Sequence, residues 1–134
     1  MWTTARLPVG ALLVADGSPP GLVPGDHGST FGGNPVACAA AAATVDAITD
    51  ELLDGVRAKE TLVRAAFPAV RGRGLLLGLE LDRAAAPVVD ACRERGVLVG
   101  SAGERVLRLT PPLTISEAEL AHGLHVLEEV LTDG

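Results

Sequence analysis

Aromatic and basic residues are scarce in this chain of 134 residues, and both shortages restrict its function. There is no tyrosine, and the aromatic residues are Trp2, Phe31 and Phe67. Any core must therefore be packed mainly with leucine, valine and alanine. The formal net charge is −6, and the longest basic run is Arg71-Gly72-Arg73. We expect no nucleic-acid partner, because nothing here neutralises phosphates in bulk.

Long apolar runs and cysteine clusters are also missing. No apolar stretch approaches the ~18 residues that a membrane span needs, and the N-terminus lacks the order of a signal peptide. Cys38 and Cys92 have no CxxC spacing and fall in predicted helices. They are interpreted as small, reduced core residues. With no metal-ligand spacing either, we expect a soluble, cytoplasmic protein without a membrane or metal site.

The first third of the chain is predicted to be mostly loop. Residues 7–15 form a short apolar run that is typical of a buried strand, and residues 16–28 are rich in proline and glycine, which predicts a loop. Asn34 is a favoured N-cap and Pro35 suits the first helical position. An alanine-rich helix is therefore predicted to follow them.

From residue 51 onward, periodicity and breaker residues predict a small α+β sandwich in which a three-stranded sheet is covered by helices. The predicted helices are 51–67, 87–95 and a last one that begins with the capping box Ser116 to Glu119. The predicted strands are 74–81, 97–99 and 105–110, with a turn at 100–103. The predicted organisation is thus a remnant of a preceding large domain over 1–33, a connecting helix over 34–50, and a small domain over 51–134.

Residues 27–35 combine groups that can hold a phosphate without a lysine. Glycine backbone, the hydroxyls of Ser29 and Thr30, and a helix N-terminus just beyond them can all donate hydrogen bonds to an anion. From the residues alone, an ordinary turn capped by Asn34 is an equal alternative.

The string HGSTFGGNP at residues 27–35, followed by the alanine-rich helix, resembles the class III (ω-type) pyridoxal-phosphate-dependent aminotransferases, and among these the acetylornithine group most closely. Residues 70–81 look like the family's first small-domain strand, and residues 106–113 look like its later strand. The resemblance covers about residues 7 to 131. It implies the small C-terminal domain of a fold type I transferase, with helices packed on a short, mainly antiparallel sheet, plus a remnant of the large domain.

The resemblance also implies roles for three residues. Ser29 and Thr30 would contact the phosphate of the pyridoxal phosphate that belongs to the partner subunit of a dimer. Arg108 would recognise a substrate carboxylate, since a guanidinium forms a planar fork that matches a carboxylate bidentately. Without the resemblance, Arg108 is better interpreted as a surface residue on an edge strand.

The chain departs from the family at the catalytic lysine, which transamination needs to hold the cofactor as a Schiff base. The family's lysine precedes the strand at 7–15, where this chain has Arg6. A guanidinium stays protonated and cannot replace an amine. The only lysine, Lys59, is interpreted as a side chain that snorkels from the second helix to solvent. No catalytic residue is therefore identified.

Three interpretations of function remain open. The chain could be part of an aminotransferase that moves an amino group between N-acetylornithine, or a related diamino acid, and 2-oxoglutarate in arginine biosynthesis, and it would be inactive alone. It could be a non-catalytic pseudoenzyme or dimerisation module that pairs with a full-length homologue. It could also be a bare small-domain fold. In each case residues 7–15 are expected to self-associate or be disordered, because an apolar strand would lack a sheet.

Overall fold

The computed structural model describes residues 3–4, 7–10, 12–18, 21 and 23–133. These residues form four helices and six short strands. The chain divides into two compact units, Met1–Thr49 and Asp50–Gly134. Arg6 and Ala11, which entered the predictions above, lie outside the described residues.

In the first unit, the predicted strand over residues 7–15 is mostly wrong. Strand β1 (Thr3–Thr4) pairs with β2 (Leu7–Pro8), and the described residues from Val9 to Ala15 have no regular structure. Leu12, Leu13 and Val14 are 74%, 93% and 69% exposed. A strand needs a neighbour for its backbone hydrogen bonds, and within the described residues this segment has none beyond Pro8.

Helix α1 (Pro35–Asp46) begins as predicted. The Asn34 side chain accepts a hydrogen bond from the Ala37 amide at 2.9 Å, and Pro35 occupies the first turn. Within this helix only Ala37 is buried. The prediction that Cys38 is a core residue is wrong, because its side chain is exposed. Alanine favours the helix but offers little apolar area to bury.

In the second unit, the three predicted helices are confirmed as α2 (Asp50–Ala66), α3 (Ala85–Glu94) and α4 (Glu117–Asp133). Helix α4 carries the predicted capping box, in which the Glu119 amide donates to Ser116 Oγ at 3.2 Å and the Ser116 amide donates to Glu119 Oε2 at 3.0 Å. Helix α3 is followed by Gly96 with a φ of +80°. Such a conformation favours glycine at a helix end.

The sheet has four strands instead of the three predicted. They are β3 (Arg71–Arg73), β4 (Leu76–Glu80), β5 (Gly100–Ser101) and β6 (Val106–Leu109), paired antiparallel in the order β3-β4-β6-β5. The predicted strand over 74–81 is therefore one arm of a hairpin. The prediction of a strand at 97–99 is wrong, and the residues that pair with β6 come from the predicted turn. The antiparallel α+β architecture itself is confirmed.

The helices cover one face of this sheet. Leu77 and Leu79 alternate with exposed or half-buried residues along β4, and Leu107 and Leu109 do the same along β6. This alternation is the period of a half-buried strand. The four leucines pack into a core cluster with Val63 of α2, Val88 and Cys92 of α3, and Leu127 of α4. The opposite face is exposed at Arg71, Leu76, Glu80 and Arg108.

Cys92 is a core residue, as predicted. It is 0% exposed, and burial raises the pKa of its thiol. A protonated thiol in apolar surroundings is a poor nucleophile, so we assign Cys92 to packing.

Candidate functional site

Glycines shape the loop that was predicted to hold a phosphate. Gly33 has a φ of +74° and directs the chain into α1. A Cβ added at Gly32 would lie 2.9 Å from Ser29 Oγ, which is too close. Any other residue at position 32 would therefore displace the Ser29 side chain. The Gly32 amide donates to the Ser29 carbonyl at 3.4 Å and closes the turn. The turn thus fixes where the Ser29 hydroxyl lies.

The Ser29 and Thr30 hydroxyls are the side-chain donors of this loop that are available to a ligand. Both residues are exposed, and neither side chain forms a hydrogen bond with any described residue. The helix N-terminus contributes less than expected. Pro35 has no N–H, the Ala37 amide is taken by Asn34 Oδ1, and Asn34 Nδ2 donates to the Phe31 carbonyl at 3.1 Å. Asn34 therefore caps the helix and braces the loop, and the hydroxyls remain for an anion.

Arg108 lies on the exposed face of the sheet, at the middle of β6. Its neighbours across the strands are two glycines, Gly78 on β4 and Gly100 on β5. The side chain is exposed and forms no hydrogen bond or ion pair with a described residue. Its guanidinium lies beside β5, since a Cβ added at Gly100 would be 3.1 Å from Nη2 and 3.3 Å from Nε. A rigid strand thus presents an unpaired guanidinium that can accept a carboxylate.

Arg71 lies on the same face and is engaged differently. It pairs with Gly78 across the hairpin, and its Nη1 is 3.4 Å from Glu80 Oε2. The register at Gly78 is regular, and a Cβ added there would come 3.2 Å from Val106 Cγ1. Both cross-strand neighbours of Arg108 are glycines, so no side chain projects from the sheet on either side of it.

Lys59 has a structural contact that sequence reasoning missed. It is half-buried, and its Nζ donates to the Leu113 carbonyl at 2.8 Å. The ammonium therefore ties α2 to the segment after Pro112, and the snorkelling interpretation is wrong. A carbonyl partner 54 residues away leaves no periodic signal in the sequence.

The second unit has a cleft of about 450 Å³ that is lined by residues 97–99, the end of β6 and α4. Its lining is mostly apolar, with Glu119 and His122 among the few polar side chains. Glu119 is already held in the capping box, and a hydrogen bond from the Ser116 hydroxyl keeps the pKa of Glu119 below its usual range. The Glu119 carboxylate is therefore engaged in capping α4.

Neither a metal site nor a membrane span is found in the described part of the chain. No group of three or more histidine, cysteine, aspartate or glutamate side chains there could hold a metal ion. No helix among those residues is both long and apolar enough to cross a bilayer.

Comparison with known proteins assigns these features to a family. The profile of the family described as aminotransferase class-III matches residues 3–131. The mitochondrial acetylornithine aminotransferase of Neurospora crassa is 42% identical over 95% of this chain and 31% of that protein. The acetylornithine aminotransferase of Methanothermobacter thermautotrophicus is 42% identical over 94% of this chain and 35% of that protein. The chain thus spans about a third of the length of these relatives.

Solved structures give the same result. The acetylornithine aminotransferase from Elizabethkingia anophelis is 32% identical, with a TM-score of 0.71 over 84% of this chain and 34% of that one. The ornithine aminotransferase from Toxoplasma gondii ME49 is 35% identical, with a TM-score of 0.69 over 83% of this chain and 30% of that one.

Proposed function

The chain belongs to the class-III aminotransferase family, and from that premise we propose that it is the C-terminal part of an acetylornithine- or ornithine-type enzyme. The parent reaction would move an amino group between N-acetylornithine, or a related diamino acid, and 2-oxoglutarate in arginine biosynthesis, in the cytoplasm. The observation that carries this proposal is the family match over residues 3–131, because it includes both the Ser29-Thr30 loop and the Arg108 strand.

The family depends on pyridoxal phosphate, and the loop fits its phosphate group. Two exposed hydroxyls without a protein partner stand on a glycine-rich turn, and residues 28–34 include no acidic side chain. When bound, pyridoxal phosphate supplies the electron sink for bond changes at the amino carbon. The role proposed for Ser29 and Thr30 is to donate hydrogen bonds to the phosphate of the cofactor bound by a partner subunit.

Arg108 is proposed to bind and orient a substrate carboxylate. Its guanidinium is unpaired, exposed and mounted on a strand between two others. Amino acids and 2-oxo acids both carry a carboxylate beside the reacting carbon, so one fork can serve both half-reactions. Orienting that carbon is a contribution to rate by positioning.

The chain alone is proposed not to transaminate. Its only lysine, Lys59, donates to the Leu113 carbonyl, and neither arginine nor histidine side chains can form a Schiff base with the cofactor. A homodimer of this chain would therefore be inactive, and activity would need the lysine of a full-length relative in a heterodimer.

Borohydride reduction tests this directly. The chain is incubated with pyridoxal phosphate, reduced and examined by mass spectrometry, alongside Lys59→Arg, which keeps a donor for Leu113 but no amine. We expect no specific adduct in either protein and no amino transfer from N-acetylornithine to 2-oxoglutarate. A stoichiometric adduct at Lys59 that disappears in Lys59→Arg would overturn the proposed inactivity.

The phosphate role is tested by mixing the chain with a full-length acetylornithine aminotransferase and isolating the heterodimer by size exclusion. Thr30→Ala should weaken pyridoxal phosphate binding in that heterodimer by about tenfold, the loss of one hydrogen bond to a charged group. The matched control is Thr44→Ala, which removes a hydroxyl that donates within α1 to the Ala40 carbonyl. Equal affinities for the two variants would refute the loop's role, and separate elution would refute the pairing.

A further inference from the structure

All the charged side chains of the four-stranded sheet lie on its exposed face. The strands contain Arg71, Arg73, Glu80 and Arg108, and each of these residues is exposed. Three arginines against one glutamate give this face a formal charge of +2, whereas the whole chain carries −6. A local charge opposite in sign to that of the molecule favours an anion at this face.

Arg71 and Arg108 lie on either side of a gap in this face. The register pairs Arg71 with Gly78 and Gly78 with Arg108, so the residue between the two arginines has no side chain. Neighbouring strands are about 4.8 Å apart, which places the two Cα atoms about 10 Å apart. Arg73 borders no such gap, because its cross-strand neighbour is Leu76, whose side chain is 51% exposed.

Arg71 leans over the gap and keeps donors for a ligand. Its Cγ would be 3.9 Å from a Cβ added at Gly78. Its ion pair with Glu80, 3.4 Å from Nη1 to Oε2, joins side chains that are 67% and 65% exposed. An ion pair as exposed as this contributes little stability, and a guanidinium has five N–H donors. Arg71 can therefore bind a ligand carboxylate without leaving Glu80.

Arg108 has one nitrogen that is turned away from β5. A Cβ added at Gly100 would lie 3.1 Å from Nη2 and 3.3 Å from Nε, so the edge formed by these two nitrogens faces the Gly100 backbone. In the planar guanidinium, Nη1 is opposite that edge. Strands β4 and β3, with Gly78 and Arg71, lie on the side of β6 away from β5. Nη1 is therefore the donor left for a carboxylate that approaches from the gap.

A five-carbon dicarboxylate suits two arginines at this spacing. Its carboxyl carbons are four C–C bonds apart, about 5 Å in the extended form, which leaves room for hydrogen bonds of about 2.8 Å at both ends. Its two negative charges also match the excess of two positive charges on this face. A monocarboxylate would satisfy one arginine and leave the other without a ligand.

We propose that Arg71 is a specificity-determining residue, which binds the second carboxylate of a dicarboxylate substrate whose first carboxylate is bound by Arg108. This inference rests on the proposed carboxylate role of Arg108 and adds the substrate class that the site selects. Diacids such as 2-oxoglutarate and glutamate would engage both arginines. N-acetylornithine has one carboxylate and would engage Arg108 alone.

The test compares the binding of 2-oxoglutarate and pyruvate to the ¹⁵N-labelled chain, because both are 2-oxo acids and only the first has a second carboxylate. The wild type should bind 2-oxoglutarate about tenfold more tightly, as expected for one more charge-assisted contact. Arg71→Gln should abolish this preference, with pyruvate affinity within about twofold of the wild type. The matched control is Arg73→Gln, which removes an equal charge from the same strand and face and should keep the preference.

Arg108→Gln separates this inference from the function on which it rests. It should weaken both ligands. If it weakens neither, or if the wild type binds neither ligand, both the carboxylate role of Arg108 and the role of Arg71 are refuted. If Arg108→Gln weakens both ligands but Arg71→Gln keeps the preference, or Arg73→Gln abolishes it equally, only the role of Arg71 is refuted. Equal wild-type affinities for the two ligands would refute that role without recourse to any variant.

Discussion

At the scale of single residues, Glu60 joins helix α2 to the hairpin of β3 and β4. Its Oε1 accepts from Arg64 Nε and Nη2 at 2.9 and 2.7 Å, and its Oε2 accepts from the Gly74 amide at 2.8 Å. Arg64 in turn donates to the carbonyls of Val70 and Gly72, each at 2.9 Å. The carboxylate thus holds in place the arginine that closes the base of the hairpin.

This network should make the stability of the second unit depend on acid pH. The hydrogen bond from Arg64, then that from Gly74, lowers the pKa of Glu60 below its ordinary value of 4.5, and Arg73 adds a smaller attraction. A carboxyl with a lowered folded-state pKa stabilises the fold above its unfolded pKa, and that stability is lost as pH falls through the folded value. Glu60→Gln should therefore lower the Tm at neutral pH, with the difference shrinking below about pH 4.

Thermal unfolding followed by circular dichroism between acid and neutral pH measures this. Glu128→Gln, an exposed position on α4 without a side-chain partner among the described residues, is the matched control and should change the Tm little at any pH. A Glu60→Gln difference that stays constant across the range would show that the contribution is packing, not charge.

At the scale of elements, the β3–β4 hairpin depends on one glycine. Gly72 has a φ of +118°, and a Cβ there would lie 2.2 Å from the Leu76 carbonyl oxygen and 3.1 Å from Leu77 Cα. Both neighbours are backbone atoms of β4, so they cannot move without breaking the hairpin. Gly72→Ala should therefore destabilise the protein by about 3 kcal/mol or more, from backbone strain and overpacking together.

Gly96 provides the control for this prediction. It also has a positive φ, +80°, but a Cβ there meets nothing within 4 Å. Gly96→Ala should cost only the conformational term, about 1 kcal/mol. Urea unfolding of both variants gives the comparison, and equal losses would mean that the contact with β4 contributes nothing.

The same hairpin shows what sequence reasoning could and could not predict. Helices α2 and α4 were predictable because an apolar stripe and a capping box are local signals. Strand β3 was missed because Arg71-Gly72-Arg73 has no apolar alternation: all three residues are exposed. The pairing of Gly100 with Arg108 was missed for another reason. Cross-strand register is a long-range property, and the glycine looked like part of a turn.

The sequence motifs could predict which residues belong to the site, but not how their side chains are arranged. Resemblance to a family singled out Ser29, Thr30 and Arg108, each of which is exposed and unpaired among the described residues. The local pattern predicted Asn34 as the cap of α1, but it could not show that the Asn34 side chain also donates to the Phe31 carbonyl, or that the guanidinium of Arg108 lies beside Gly100. Both depend on side-chain geometry in three dimensions.

The exposed apolar segment from Leu12 to Val14 leads to a prediction about self-association. Three consecutive exposed apolar side chains are an association hazard. Leu13→Glu should therefore reduce concentration-dependent self-association, measured by sedimentation velocity. Leu98→Glu is the control: Leu98 is 84% exposed but stands alone in its segment, so its replacement should matter less. A wild-type chain that stays monomeric at every concentration would refute the hazard.

At the scale of the whole molecule, buried apolar contacts are concentrated in one unit. The core cluster extends from Val63 to Val130 and lies entirely within Asp50–Gly134. Among residues 9–10, 12–18, 21 and 23–49 of the first unit, for which the structure describes burial, Ala37 is the one buried hydrophobic residue. Segments with few buried contacts open at low free-energy cost, and those with a shared core open only with global unfolding.

Two proteases with opposite site distributions can test this asymmetry. Thermolysin cleaves beside apolar residues, so Leu12, Leu13, Val23 and Phe31 all offer exposed sites in the first unit. Beyond Arg6, every lysine and arginine, and hence every trypsin site, lies in the second unit.

Because proteolysis of folded protein follows local opening, thermolysin should cut the first unit quickly and leave a resistant fragment that retains residues 50–133. Trypsin should leave those residues intact over the same period, although many of its sites are exposed. Mass spectrometry of the two digests decides the matter: rapid tryptic cleavage inside residues 50–133 would mean that the core cluster does not stabilise the unit on its own.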